Sequence, residues 1–261
     1  MASSPNACYR LTSNISLSGD WVPIGTESRK FTGVFDGGNY TISNLSIDSS
    51  EDNIGFFAFN SGEIRNVKFS NIDVTGDEKV GAVVGTNSGI VRNVELISGE
   101  VNGRNYIGGV VGKNSGTITR CSSSIDVTGS DASVGGIVGS NGYGAIMKCR
   151  SFGDVTGYRY VGGIMGENFY DEETGAAIIS ECYTTGNIEA TNRTAGGIAG
   201  DACVQIINCY STGTITAPSN AGGIIGWFGT TITNSYTISR IEENSSRRTI
   251  SWNFWLRVWI S

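Results

Sequence analysis

The chain has 261 residues, 39% of them hydrophobic, with 38 Gly against 3 Pro. Its net charge of −6 argues against nucleic acid as a partner, since a groove that tracks phosphates needs clustered Lys and Arg. It has no His, which removes the commonest general base, the commonest zinc ligand and every Ser-His or Cys-His nucleophile pair.

The opening "MASSPNACYRL" lacks the apolar core of a signal peptide. No later stretch is long and apolar enough to span a bilayer, so membrane insertion is not expected. Residues 1–53 read as leader coils. The runs Tyr9–Gly25 and Phe31–Ile47 are strand-like, with a Gly-Gly turn inside "FDGGNY" (Phe35–Tyr40).

Residues 54–241 are a repeat. A divergent copy, "IGFFAFNSG", begins at Ile54. It is followed by "VGAVVGTNSG" at Val80, "IGGVVGKNSG" at Ile107, "VGGIVGSNGYG" at Val134, "VGGIMGEN" at Val161, "AGGIAG" at Ala195 and "AGGIIG" at Ala221. The first Gly of each copy stands at 55, 81, 108, 135, 162, 196 and 222. Two further signatures travel with it: "EIRNV", "TITRC", "QIINC", "TITNS", and then "IDVTG", "GEVNG", "GDVTG", "GTITA". Each unit therefore holds three short β segments separated by Gly, Asn or Ser turns.

A unit of about 27 residues without helical periodicity suits one coil of a parallel β-helix. A single coil cannot bury its own apolar face, whereas stacking buries a continuous core and pairs each strand with the next coil. The leucine-rich pattern expected of the main rival fold is absent. Residues 242–261 break the repeat and hold three of the five Trp. They read as a cap over the open end or as a broken end, with amphipathic membrane contact a weaker reading.

Over roughly Tyr9–Ile241 these motifs resemble the GLUG-motif repeat proteins, named for a Gly-Leu-any-Gly signature. Such repeats occur in bacterial surface proteins, including adhesin-like proteins and streptococcal immunoglobulin A peptidases. The resemblance implies a right-handed parallel β-helix, secreted or on the bacterial cell surface, as part of a larger surface protein. It does not imply catalysis here, because the peptidase zinc chemistry needs an H-E-x-x-H helix and this chain has no His.

"YIGGVVGKNSG" (Tyr106–Gly116) imitates a phosphate loop, but Ile107 stands where that motif needs Gly, and Asn114 where it needs Ser or Thr. Lys113 is replaced by Thr86, Ser140 and Glu167 in other copies. The motif glycines read instead as corners at positive φ, or as points where coils approach closely. One column reads Val67, Val94, Cys121, Cys149, Cys182, Cys209, Ser235. Its Val members point to an inward stack of free thiols. In-register Cβ atoms about 4.8 Å apart are too distant for the ~3.8 Å of a disulfide. Cys8 and Cys203 fall outside it. The preceding column, Asn66, Asn93, Arg120, Lys148, Glu181, Asn208 and Asn234, reads as left-handed corners.

Three features are candidates for contact. Asp73, Glu100, Asp126 and Asp154 form an acidic column, read as a solvated outer face, with calcium binding as the sharper alternative. Tyr183, Tyr210 and Tyr236 form an aromatic column, a binding platform or a stiffening ladder. The one long repeat carries an insertion containing Phe169, Tyr170, Asp171, Glu172 and Glu173, and solenoid insertions emerge as loops on one face. The column Thr75, Asn102, Thr128, Thr156, Glu189, Thr216 is too interrupted for an ice-binding array.

The expectation is a non-enzymatic extracellular stalk or adhesin module without catalytic residues, metal or cofactor. It would bind a host glycan or protein, or act as a spacer. The alternative is a carbohydrate-active β-helix enzyme, a polysaccharide lyase or hydrolase, which would need converging carboxylates.

Overall fold

The computed structural model describes residues 3–168, 177–227 and 231–243. The candidate loop Phe169–Glu173 lies outside the described residues, as does the tail beyond residue 243. No helix occurs among the described residues, and every ladder is parallel, in a β-solenoid. One coil shows the plan. It runs through Asn105–Gly108, Val111–Asn114, Thr117–Thr119, Ser122–Ser123 and Asp126–Gly129. The next coil repeats it in register: Ile107 faces Val134, Val111 faces Val138, Ile118 faces Ile146, Ser123 faces Ser151 and Val127 faces Val155. The leader joins the same stack, with Val34 paired to Glu63 and Ile42 to Phe69.

This coil thus has five short strands where the sequence suggested three, whereas Glu63–Thr75 runs through as one strand in an earlier coil. The Gly-Gly step at Gly108 and Gly109 divides the first segment, and the left-handed residue Arg120 (φ 55°) divides the second.

Alternation along each strand sends one side chain inward and the next outward. The core of the first coils is aromatic. Phe31, Phe35, Phe56, Phe57 and Phe69 are buried, with ring centroids 4.8–5.8 Å apart. Trp21 seals its side, stacked 4.3 Å from Phe56. Further along the stack the core thins. The inward column Ile42, Phe69, Leu96 continues as Ser123, Ser151, Thr184, Ser211. The facing residues are glycines: a Cβ on Gly136 would lie 2.1 Å from Ser151 Oγ. Small side chains are required on both sides of that contact.

The motif glycines are explained by close approach alone. Gly81, Gly108, Gly135 and Gly162 are not among the glycines at positive φ. A Cβ on Gly108 would lie 2.1 Å from Val111 O, and one on Gly112 would lie 2.3 Å from the Lys79 carbonyl carbon. The expected positive φ belongs instead to the residue two before the motif Gly in six of the seven copies: Asn53, Lys79, Tyr106, Ser133, Tyr160 and Asn220, at 56–63°.

Candidate functional site

Regular stacking turns each repeat position into a column of side chains, so the chemistry of this protein is arranged in lines. The inward column behaves as expected. Cys121, Cys149, Cys182 and Cys209 are buried and free, beneath Val67 and Val94 and above Ser235. They are also hydrogen-bonded. Cys149 N donates to Cys182 Sγ at 3.3 Å and Cys182 N to Cys209 Sγ at 3.4 Å. Cys209 N donates to Ser235 Oγ at 3.0 Å. Each of these side chains in turn donates to the carbonyl two residues earlier, as Cys182 Sγ does to Ser180 O at 3.2 Å. Burial pushes the Cys121 and Cys182 thiols up, which keeps them neutral. Cys8 is exposed and Cys203 half-buried, both free and outside this ladder.

The corner column is left-handed throughout: Asn66, Asn93, Arg120, Lys148, Glu181, Asn208 and Asn234 have φ of 47–56°. Asn93 and Asn66 link their coils through the amides, Asn93 Nδ2 donating to Asn66 Oδ1 at 3.0 Å.

A further polar ladder is one that the residue pattern alone did not single out. Asn60, Asn87, Asn114 and Asn141 are fully buried. Their amides form a chain, Asn60 Nδ2 to Asn87 Oδ1, Asn87 to Asn114 and Asn114 to Asn141, each 2.7 Å. Each also holds its own turn: Asn114 Oδ1 accepts from Gly116 N at 3.2 Å and Nδ2 donates to Gly116 O at 3.1 Å. The signal was present as the Asn of "TNSG" and "KNSG", recurring at a fixed place after an apolar pair. This also settles the phosphate-loop imitation. Asn114 belongs to the buried ladder, and Lys113 lies on an outer column between Thr86 and Ser140.

The acidic column faces solvent. Asp73, Glu100 and Asp126 are in register and exposed, beside buried Val74, Val101 and Val127. Two of its members bind backbone: Asp126 Oδ1 accepts from Asp154 N at 3.0 Å, and Asp154 Oδ1 from Asn187 N at 2.8 Å. The Thr column is in register as well, interrupted by Asn102 and Glu189.

The tyrosine column is a stacked ladder. Tyr183 and Tyr210 have centroids 4.7 Å apart with planes 6° from parallel, and Tyr210 and Tyr236 are 5.4 Å apart at 8°. Phe152 meets Tyr183 edge-on at 5.8 Å, and Arg150 Cζ lies 5.6 Å from the same ring. Burial and the flanking phenols push the Tyr210 hydroxyl up. The rings spend their faces on one another, so the ladder shows solvent a row of edges and hydroxyls.

A second concentration of titratable groups lies where Lys79, Tyr106, Ser133 and Tyr160 pass the outer column Lys113, Ser140, Glu167, Asp201. Arg193 Nη1 donates to Tyr160 Oη at 2.8 Å, and Arg159 pairs with Asp131 at 3.2 Å.

The GLUG motif family matches residues 103–128 and 130–156. Those are two consecutive coils of the stack, each match spanning one coil. The chain carries GLUG repeats. The GLUG unit is therefore the solenoid coil itself, and its glycines are the close contacts between coils. The crystal structure of a candidate immunoglobulin A1 protease from Bacteroides ovatus is similar in fold, with a TM-score of 0.58 and 23% identity. The alignment covers 94% of this chain and 73% of that one. No curated protein matches the sequence.

Proposed function

We propose that this GLUG solenoid is a non-catalytic module of a bacterial surface protein, secreted or held at the cell surface. It serves as a stiff spacer that displays a ligand-contacting edge. The supporting observation is the set of unbroken columns, with Asn, Cys and Tyr each repeated from coil to coil. Such columns suit a rod, since every coil is tied to both neighbours. The GLUG coils and the fold shared with the Bacteroides ovatus protein support a surface setting. The parent protein supplies the remaining domains.

The edge assigned to contact is Tyr183, Tyr210 and Tyr236, extended by Arg150 and Phe152. Tyr suits a binding edge because it offers apolar area and a hydroxyl at low entropic cost. The partner class is a host or neighbouring-cell glycan or protein. The loop Phe169–Glu173 is a second contact on sequence grounds. Immobilised chain probed with glycans and matrix proteins tests this reading. Retention of one ligand class, lost when the three tyrosines become Ser, is the expected result.

A further inference from the structure

One outer column runs through Lys68, Glu95, Ser122, Arg150, Tyr183, Tyr210 and Tyr236, each in register with the next. The tyrosine edge is therefore the last part of a longer line. Six steps of about 4.8 Å give that line a length of about 29 Å. The left-handed corner column runs beside it, two residues earlier in each coil. At the earlier end lies an open recess of about 220 Å³, lined among others by Asn66, Lys68, Asn93, Glu95, Arg120 and Ser122.

Positive charge gathers where this recess meets the tyrosines. Arg120 and Arg150 are both exposed. The backbone brings them together, since Arg150 N donates to the carbonyl of Cys121, the residue after Arg120, at 2.9 Å. The carboxylates on the line are already matched, Glu95 by Lys68 at 3.0 Å and Glu181 by Lys148 at 3.5 Å. Among the described residues neither guanidinium has a carboxylate partner. Arg150 instead places Cζ 5.6 Å from the centre of the Tyr183 ring. Burial pushes the Tyr210 hydroxyl up and Arg150 opposes that, so its field reaches along the ladder. These two unmatched cations belong to a chain whose net charge is −6.

The corner column gives a second, independent sign. Asn holds it at 66, 93, 208 and 234, but Arg120 and Lys148 hold it at φ 55° and 56°. Asn enters the left-handed region more readily than Arg or Lys. The exchange makes the turn harder and adds charge in the two coils that flank Arg150. Backbone held in a costly conformation with a functional side chain on it is a mark of a binding position.

We propose that this line takes a linear acidic glycan, with Arg120 and Arg150 holding a carboxylate or sulfate and the tyrosine hydroxyls bonding the sugar hydroxyls that follow. The proposal rests on the tyrosine edge being the contact surface, and it names the ligand class. A guanidinium is weakly hydrated and grips such oxyanions through its planar fork of donors. The surface suits a glycan over a protein, because the tyrosine rings already cover one another's faces. Two residues further on, the outward positions Ser124, Phe152, Thr185 and Thr212 are mostly hydroxyls and form no apolar pocket. A repeating polymer meets a repeating column at several points, which multiplies weak contacts.

Retention of the whole chain on immobilised polygalacturonate, dextran sulfate, dextran and polyglutamate tests the proposal. Polygalacturonate or dextran sulfate should retain it at physiological salt and release it as salt rises, the two polymers separating carboxylate from sulfate. R120N/R150Q should weaken that binding about tenfold, or about 1.4 kcal/mol, the scale of two exposed charge pairs. R120N alone should weaken it while raising the melting temperature, so that a lost contact is told apart from a lost fold. R10Q/K30Q removes the same charge from the leader coils and should bind as the wild type does. Retention on none of the polymers, equal retention on dextran or polyglutamate, or wild-type binding by R120N/R150Q would overturn the acidic-glycan assignment. Equal retention on dextran leaves the tyrosine edge standing as a contact surface, whereas undiminished binding by Y183S/Y210S/Y236S would overturn that edge itself.

Discussion

At the residue scale, the ladders decide what the fold tolerates. Asn114 makes four hydrogen bonds, to Asn87, Asn141 and both backbone groups of Gly116. Asn114→Ala would leave several buried groups unpaired, at about 1–3 kcal/mol each. It should cost about 3 kcal/mol or more in denaturant unfolding, whereas Asn102→Ala on the outer Thr column should stay within about 0.5 kcal/mol. The thiol ladder gives a sharper contrast. Hydrophobicity alone would favour Cys182→Val over Cys182→Ser. The observed bonding reverses that order, because Cys182 Sγ accepts from Cys149 N and donates to Ser180 O. Ser235 already fills the same role at the end of the column, donating to Thr233 O at 2.9 Å. Cys182→Ser should cost less than about 1 kcal/mol and Cys182→Val about 1–3 kcal/mol. Chemical denaturation of the two variants checks the order. A less stable Ser variant would contradict the ladder.

At the element scale, the corners carry strain that the sequence leaves open to repair. Left-handed backbone costs an ordinary residue roughly 1 kcal/mol, and Asn and Gly less. Arg120 occupies such a corner without the Asn found at Asn66 and Asn93. Arg120→Asn should raise stability by about 0.5–1 kcal/mol, read as a higher melting temperature. The existence of these corners was legible from the recurring Asn before the Cys column. So were the repeat length, the inward thiols and the outward acidic column, because each is a periodic pattern in one residue type. The division into five strands was not legible. It depends on which glycine is pressed by the neighbouring coil and which non-glycine residue turns left-handed, and Lys79, Tyr106 and Tyr160 advertise no such turn in sequence.

At the scale of the whole molecule, a stack of coils repeats each position along its length, and the proposed function uses one of the edges so formed. The tyrosine ladder is the most chemically distinct of these. Its rings are stacked on one another, which stiffens the later coils where the core holds Ser, Thr and Cys in place of Phe. Its edges and hydroxyls are the surface proposed to meet a partner. The absence of His removes zincin chemistry from these residues. The most direct measurement is a combined array of glycans, matrix proteins and immunoglobulin A1, scored for retention of the 261-residue chain and for cleavage of each ligand. Retention on one class of ligand with no cleavage is expected, with loss of retention in the Y183S/Y210S/Y236S variant while its fold persists. An array that retains nothing, or one that shows reducing-end or peptide release by the wild-type chain, would contradict it.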